Sequence, residues 1–326
     1  MKKIYYGKAV YDNREINAVL KVLKNDSLSL IDGKKVKALE KKVSSIFGKK
    51  YGLMVNSGSS ANLLALSSFK FKKGSEIITP NLTFSTTVAP IYQLGLVPHF
   101  VGVEENKFVT DPSHIEKCIN KKTVALMIPN LLGNIADWKK IFKIAKKYKL
   151  KIIEDSADTI GYTVNKKHLG KFSDISTNSF YASHIINGAG TGGIVCFNDF
   201  ELYQKAKLLR GWGRSSATFN ESENATKRFS VKVSGIDYDA KYIFSDLGYN
   251  FLPSEISAAF ALEQIKKLKN NIFIRNKNFN YLKKFFSNYD KLFKLPEQNP
   301  GVKTPWLAFP LVIKKNNIFN RKQMQI

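Results

Sequence analysis

From about residue 50 onward, short apolar runs alternate with amphipathic stretches. "YGLMV" (51–55), "EIIT" (76–79), "LVPHFV" (96–101), "TVALMI" (123–128) and "KIIE" (151–154) are short, apolar and bounded by Gly, Pro, Asn or charge. Runs of this kind are what strands buried on both faces require. Between them the spacing turns helical. In "ADWKKIFKIAKKYK", Trp138, Ile141, Phe142, Ala145 and Tyr148 share a face and the lysines take the other. The alternation predicts an α/β fold, a mostly parallel sheet covered by helices on both sides. Residues 174–197 break the rhythm, with "DISTNSFYAS" and "GGIVCFN" reading as two strands around a glycine-rich turn. Residues 199–210 read as helix, and 211–250 as irregular and polar, least structured in "SSATFNESENATKRF". A long helical region follows over 253–286, with Pro253 near its start. "TPWLAFPLVIKK" reads as the first strand of a further unit, and one strand does not bury a core. The expected organisation is a large domain over 1–250 and a small C-terminal α/β domain begun over 251–326 and truncated.

Composition narrows the class. The chain has 326 residues, 44% apolar and 24% charged, as an ordinary globular protein does. Two cysteines, Cys118 and Cys196, far apart in sequence, make neither a disulfide framework nor a metal spacing. There is no apolar run at the N-terminus and none long enough to span a membrane, so a cytoplasmic protein is expected. The formal net charge of +26 would favour polyanions. However, the lysines are scattered in pairs along the whole chain, with no zinc-finger, RNP-type or basic-helix pattern. Nucleic acid is therefore not an expected partner, whereas a diphosphate-bearing substrate would still gain from the field.

Three stretches carry candidate chemistry. "VNSGSSANLLAL" (55–66) follows a strand and opens a helix, so Gly58, Ser59 and the free N–H groups of the first turn make either an anion site or an ordinary serine cap. "IIEDSADTIG" (152–161) puts Asp155 and Asp158 at the carboxyl end of a strand, the edge where open α/β sheets bind ligands. There an acid holds a cationic ring nitrogen or a metal, or simply caps the next segment. "SFYASHIINGAGTGG" (179–193) carries His184, one of four histidines. Its plain alternative is a satisfied polar residue in a turn, the reading kept for His99, His114 and His168.

Together these stretches and the aromatic in "NLTFSTTVAP" would cradle a phosphorylated aromatic cofactor. The arrangement resembles pyridoxal-phosphate enzymes of the aspartate-aminotransferase-like fold type I. More narrowly, it resembles the DegT/DnrJ/EryC1/StrS sugar aminotransferase/dehydratase family, which acts on nucleotide-linked 4-ketosugars. "SLIDGKKVKALEKKV", "NSGSSANLLAL", "EIITPNLTFSTTVAPI", "EDSADTIG", "SFYASHIINGAGTGG", "RGWGR" and "LGYNFLPSEISAAFALEQ" carry the resemblance, in order, from about residue 5 to 290. It implies a seven-stranded sheet. It also implies that Gly58, Ser59 and Ser179 hold the cofactor phosphate, Phe84 stacks on the pyridine ring, and Asp155 pairs with the ring nitrogen. Asn250 would reach the phosphate from a neighbouring subunit, which implies a homodimer with shared sites.

One residue departs from the family's aminotransferases. They carry at position 184 the lysine that binds the cofactor covalently, and histidine cannot form that bond. Histidine here, with Asp158 three residues after Asp155, resembles the family's 3-dehydrase branch, whose members take GDP- and CDP-linked 4-keto-6-deoxyhexoses. The resemblance implies pyridoxamine phosphate as the working form of the cofactor, His184 as general base, and loss of the C3 hydroxyl on the way to a 3,6-dideoxysugar. A second departure concerns iron. The CDP-sugar enzyme of the branch holds an iron–sulfur cluster on cysteines whose positions here read Ala157, Ser216, Thr218 and Thr226. Those side chains do not ligate iron as thiolates do, so no cluster is expected. Glutamate is then the favoured amino donor, with a separate reductase acting without a cluster as the alternative. The rival expectations are an aminotransferase working without the lysine and a non-catalytic binder of cofactor or nucleotide sugar.

Overall fold

The structure, a computed structural model, describes residues 5, 7–24, 29–167, 170–219 and 224–325. His168 lies outside the described residues. Two helices, α1 (Asn13–Lys24) and α2 (Lys34–Ile46), precede the sheet. The strands and helices then alternate as β1 (Tyr51–Val55), α3 (Gly58–Phe69), β2 (Glu76–Pro80), α4 (Ser85–Gln93), β3 (Val97–Val101), α5 (Pro112–Cys118), β4 (Thr123–Pro129), α6 (Trp138–Tyr148) and β5 (Lys151–Asp155). After a two-residue β6 (Thr163–Val164) come β7 (Ile175–Ser179), β8 (Gly193–Phe197) and α7 (Phe200–Arg210).

Seven of these strands form one sheet in the order β1-β8-β7-β5-β4-β2-β3. Only β8 runs against its neighbours, pairing antiparallel with both β1 and β7. The parallel pairs, β2 with β3 and β4, and β5 with β4 and β7, account for the strand–helix alternation. Adjacent residues point to opposite faces, so Leu126, Ile128 and Ile152 join one buried cluster with α2 and α6, while Met127 and Ile153 join another with α3 and α7. Both faces of β1, β2, β4 and β5 are buried, which is why these strands read as continuous apolar runs, while β3 at the sheet edge is partly exposed. On α6, Trp138, Ile141 and Ala145 are buried as their spacing requires. Tyr148, expected on that face, is exposed and donates its hydroxyl to Glu116.

The segment 211–250 holds more order than its polarity suggests. It contains a short helix α8 (Ala225–Arg228) and a hairpin of β9 (Val231–Val233) and β10 (Ile236–Tyr238). Helix α9 (Glu255–Phe286) is a single 32-residue helix. Its first half, through Ala258, Ala261, Ile265 and Leu268, packs into the same core as α2 and α6. Glu255 also accepts from the N–H groups of Lys35 (3.0 Å) and Val36 (2.8 Å), closing the start of α2 from across the sequence. Beyond α9 lie the two-residue strands β11 (Phe293–Lys294), β12 (Val302–Lys303) and β13 (Val312–Ile313), then α10 (Arg321–Gln325). β11 pairs with β13, and β12 pairs back to β6. The strand expected in "TPWLAFPLVIKK" is thus only its Val312–Ile313 portion. Among the described residues no helix is long and apolar enough to cross a membrane, and both cysteines are free.

Candidate active site

The candidate residues meet at the carboxyl edge of the parallel strands, where β1, β5 and β7 run out into loops. Ser57 caps α3, its hydroxyl accepting from the Ser60 N–H at 3.0 Å. Gly58 opens that helix against the end of β7: a Cβ there would stand 2.5 Å from the Cβ of Ser179 and 2.8 Å from its hydroxyl. Only a residue without a side chain lets the helix N-terminus and Ser179 come this close. Ser179 is buried, and Ser59 is exposed in the first turn. The loop between β7 and β8 is tied to the same turn, since Gly192 donates its N–H to the Asn56 carbonyl at 2.9 Å. Hydroxyls and free N–H groups therefore converge with no carboxylate among them, the composition of an anion seat.

Asp155 ends β5 and is buried. Its Oδ2 accepts from Asn62 Nδ2 (2.8 Å) and Thr87 Oγ1 (2.8 Å), and its Oδ1 from the Ala157 N–H (3.1 Å). Asn62 is held in turn. Its Oδ1 accepts from Thr177 Oγ1 at 2.7 Å, and its Nδ2 also reaches the Thr86 carbonyl at 3.2 Å. Pro90, four residues after Thr86 inside α4, has no N–H to give that carbonyl, so Asn62 supplies the missing donor. Phe84 precedes α4 at 68% exposure, and the neighbouring Thr83 hydroxyl bonds Thr87 at 2.9 Å. Phe84 is thus an exposed aromatic whose carbonyl accepts from the N–H of Thr87 (3.0 Å), the residue that bonds Asp155. Sequence reasoning did not single out Asn62, Thr87 and Thr177. A lone asparagine within the apolar run "ANLLAL", and a proline inside a helix, were the available signals.

His184 sits in the β7–β8 loop, its N–H bonded to the Tyr181 carbonyl at 3.0 Å. The side chain is 17% exposed, and its Nε2 lies 3.8 Å from Asp158 Oδ1. Nδ1 is buried and has no hydrogen-bond partner among the described residues. Burial lowers the imidazole pKa from its ordinary value, and the Arg275 charge adds to this against the opposing effects of the Ser179 backbone and Asp155. Asp158 moves the other way: burial, with the Asp155 charge adding to it, pushes it up to about 6, though the Leu132 N–H bond to Oδ2 (2.7 Å) opposes the rise. Burial thus favours the uncharged form of both groups, the neutral imidazole and the protonated carboxyl.

Gly58, Ser179, Asp155, Asp158 and His184 are thus gathered at one edge, with Phe84 beside them. Asn250 stands apart from these contacts: it is exposed and bridges Gly211. His99 and His114 keep their plain readings, near Glu76 (3.3 Å) and Asp111 (3.9 Å). Ala157, Ser216, Thr218 and Thr226 bring no thiolate, and among the described residues no three His, Cys, Asp or Glu side chains form a metal-holding group. The cradle fits pyridoxal phosphate: an anion seat at Gly58 and Ser179, a buried acid at Asp155 and an open aromatic face at Phe84.

The chain is similar to lipopolysaccharide biosynthesis protein RfbH of Salmonella typhimurium, with 36% identity over 88% of this chain and 68% of the relative. It is similar to GDP-4-keto-6-deoxy-D-mannose 3-dehydratase of Yersinia pseudotuberculosis, with 33% identity over 97% of this chain and 79% of the relative. The fold superposes on a crystal structure of GDP-4-keto-6-deoxymannose-3-dehydratase with a trapped PLP-glutamate geminal diamine, with a TM-score of 0.86, 30% identity, and coverage of 99% of this chain and 82% of that one. With residues 10–326 matching its pattern, this chain belongs to the DegT/DnrJ/EryC1/StrS aminotransferase family.

Proposed function

We propose that this chain is a pyridoxal/pyridoxamine-phosphate-dependent enzyme that removes the C3 hydroxyl of a nucleotide-linked 4-keto-6-deoxyhexose, for the synthesis of 3,6-dideoxysugars. The observation that carries the reading is a histidine, not a lysine, on the loop between β7 and β8, facing Asp158 at 3.8 Å beside the Asp155 cradle. The relatives named as 3-dehydratases and the neighbour structure holding PLP support it. Pyridoxamine phosphate held there would supply an amine for the C4 ketone of the sugar and an electron sink.

The roles of the protein's own groups follow from their geometry. Gly58, Ser59 and Ser179 seat the phosphate with the α3 N-terminus. Phe84 covers one ring face, and Asp155, fixed by Asn62, Thr87 and the Ala157 N–H, pairs with the ring nitrogen. His184, kept largely neutral by burial, takes the proton from the carbon joined to the amine. The imidazolium then protonates the departing C3 oxygen. Asp158 orients the imidazole and takes up its charge. With histidine at 184, the chain offers no amine at that position to hold the cofactor covalently, which suits a cofactor used as pyridoxamine phosphate. Glutamate is the amino donor in this reading, and the balance closes: the sugar loses one oxygen, glutamate becomes 2-oxoglutarate, and ammonia leaves. Asn250, exposed in one subunit, reaches the phosphate of its partner in a homodimer. The reaction takes place in the cytoplasm.

The test is the mass of the sugar product when the protein is given pyridoxal phosphate, glutamate and a panel of GDP-, CDP- and dTDP-linked 4-keto-6-deoxyhexoses. Loss of one oxygen is expected. Replacement of the keto oxygen by an amine would make the chain an aminotransferase.

A further inference from the structure

Two enclosed arginines in this protein have opposite surroundings. Arg210 is 3% exposed and paired with Asp32 (2.6 Å) and Glu40 (3.3 Å). Arg275, in the middle of α9, is largely enclosed as well. Its Nη1 donates to two neutral carbonyls, Trp306 (3.1 Å) and Leu307 (3.3 Å). Its Nε and Nη2 make no hydrogen bond to a described residue, and no carboxylate pairs with it. Burial alone lowers its pKa, with no acid acting to raise it. An enclosed cation without a counter-charge is costly, so such a group is expected to serve something that brings the anion.

Its location ties it to the reacting centre. Leu307 and Ala308 donate their N–H groups to the Leu132 carbonyl at 3.0 and 3.4 Å. The Leu132 N–H bonds Asp158, and Asp158 faces His184. No space separates the two segments, since a Cβ on Gly133, whose φ is +84°, would stand 2.5 Å from the Leu307 N. The Arg275 charge is close enough to oppose protonation of His184.

We propose that Arg275 is the carboxylate-recognition residue of this site, its free guanidinium edge binding a carboxylate of the amino donor. The proposal rests on the reading of the site as a cofactor enzyme fed by an amino acid. The planar fork of a guanidinium suits a carboxylate. An α-amino acid carries its carboxylate one bond from the carbon that bears the amine. The diphosphate of a nucleotide-linked 4-ketosugar sits at C1, across the ring from the reacting C4. A cation tied to Asp158 and His184 through Leu307 and Leu132 lies toward the reacting centre, which matches the amino acid and not the diphosphate.

The experiment is a calorimetric titration of the wild-type protein, Arg275→Lys and Arg275→Met with 2-oxoglutarate and, separately, with GDP. Melting temperatures are measured alongside, as are KM values for glutamate and for the nucleotide sugar. Arg275→Lys keeps a donor for the Trp306 and Leu307 carbonyls and so preserves the fold. We expect it to weaken 2-oxoglutarate binding and raise the glutamate KM by about tenfold or more, leaving GDP binding and the sugar KM unchanged. Arg275→Met is expected to abolish measurable 2-oxoglutarate binding. Three results would overturn the proposal: unchanged 2-oxoglutarate affinity in the lysine variant, a loss that falls on GDP instead, or a lower melting temperature with both ligands weakened equally. If the wild type dehydrates no sugar, the dehydratase reading fails while the 2-oxoglutarate titration still judges Arg275. If it does and the lysine variant keeps its glutamate KM, Arg275 alone is refuted.

Discussion

Asp155 and His184 lie at one sheet edge and are held in opposite ways. Asp155 ends a central strand, and its carboxylate is met by two side-chain donors and one backbone N–H, themselves tied to Thr177 and Thr86. His184 sits in a loop, with one ring nitrogen 3.8 Å from a carboxyl and the other unpartnered among the described residues. A carboxylate held by three donors is a fixed electrostatic post, since moving it would strand several buried partners. A loosely held imidazole is suited to gaining and losing a proton without breaking a network. The contrast separates the group that holds from the group that works.

The largest effect is expected at His184. His184→Gln should lose about 10³-fold in kcat for dehydration with an unchanged circular-dichroism spectrum. Activity within tenfold of wild type would break the division of labour. Asp155→Asn comes next. Its new amide would turn N–H groups toward donors already aimed at it, and cofactor affinity should fall about 100-fold, read by absorbance titration. Third, Asn62→Ala leaves Thr177 Oγ1 only its 3.5 Å contact with the Glu154 carbonyl, takes the side-chain donor from the Thr86 carbonyl and leaves Asp155 Oδ2 with one partner fewer. We expect a loss of about 2–3 kcal/mol in denaturant unfolding. A near-neutral result would show that the post is not rigid. The smallest effect concerns Asp158. Its folded pKa of about 6 lies above the ordinary 3.8, so the folded state binds the extra proton and stability declines as pH rises through that window. Asp158→Asn should remove that decline, gaining on the order of 2 kcal/mol near pH 7 relative to pH 4. An unchanged pH–stability curve would place the buried proton elsewhere.

The sequence made one half of this contrast readable and hid the other. β1, β2, β3, β4 and β5 fall within a residue of the apolar runs that announce them. In β1, β2, β4 and β5 burial on both faces leaves no polar alternation to blur the signal, whereas β3, at the sheet edge, keeps its apolar run although Val97 and Phe100 are exposed. Gly58, Asp155, Asp158 and His184 were legible through their positions at strand ends and through the family resemblance. Asn62, Thr87, Thr177 and Arg275 were not. Each is an ordinary polar residue in a helix or strand whose partners lie 24 to 115 residues away. The hairpin β9–β10 was hidden too, since Val231 is only half-buried and the rest of it is exposed, so its residues carry little apolar pattern. The exposed Tyr148 shows the converse, an apolar-spaced residue drawn to the surface by a hydroxyl bond to Glu116.

The most direct measurement is a side-by-side product mass for the wild type and His184→Lys, each supplied with pyridoxal phosphate, glutamate and the nucleotide-linked 4-ketosugar. The account predicts a sugar lacking one oxygen from the wild type and an aminated sugar, or none, from the lysine variant. Dehydrated sugar from both at similar rates would contradict it, because the residue at 184 would then not set the outcome.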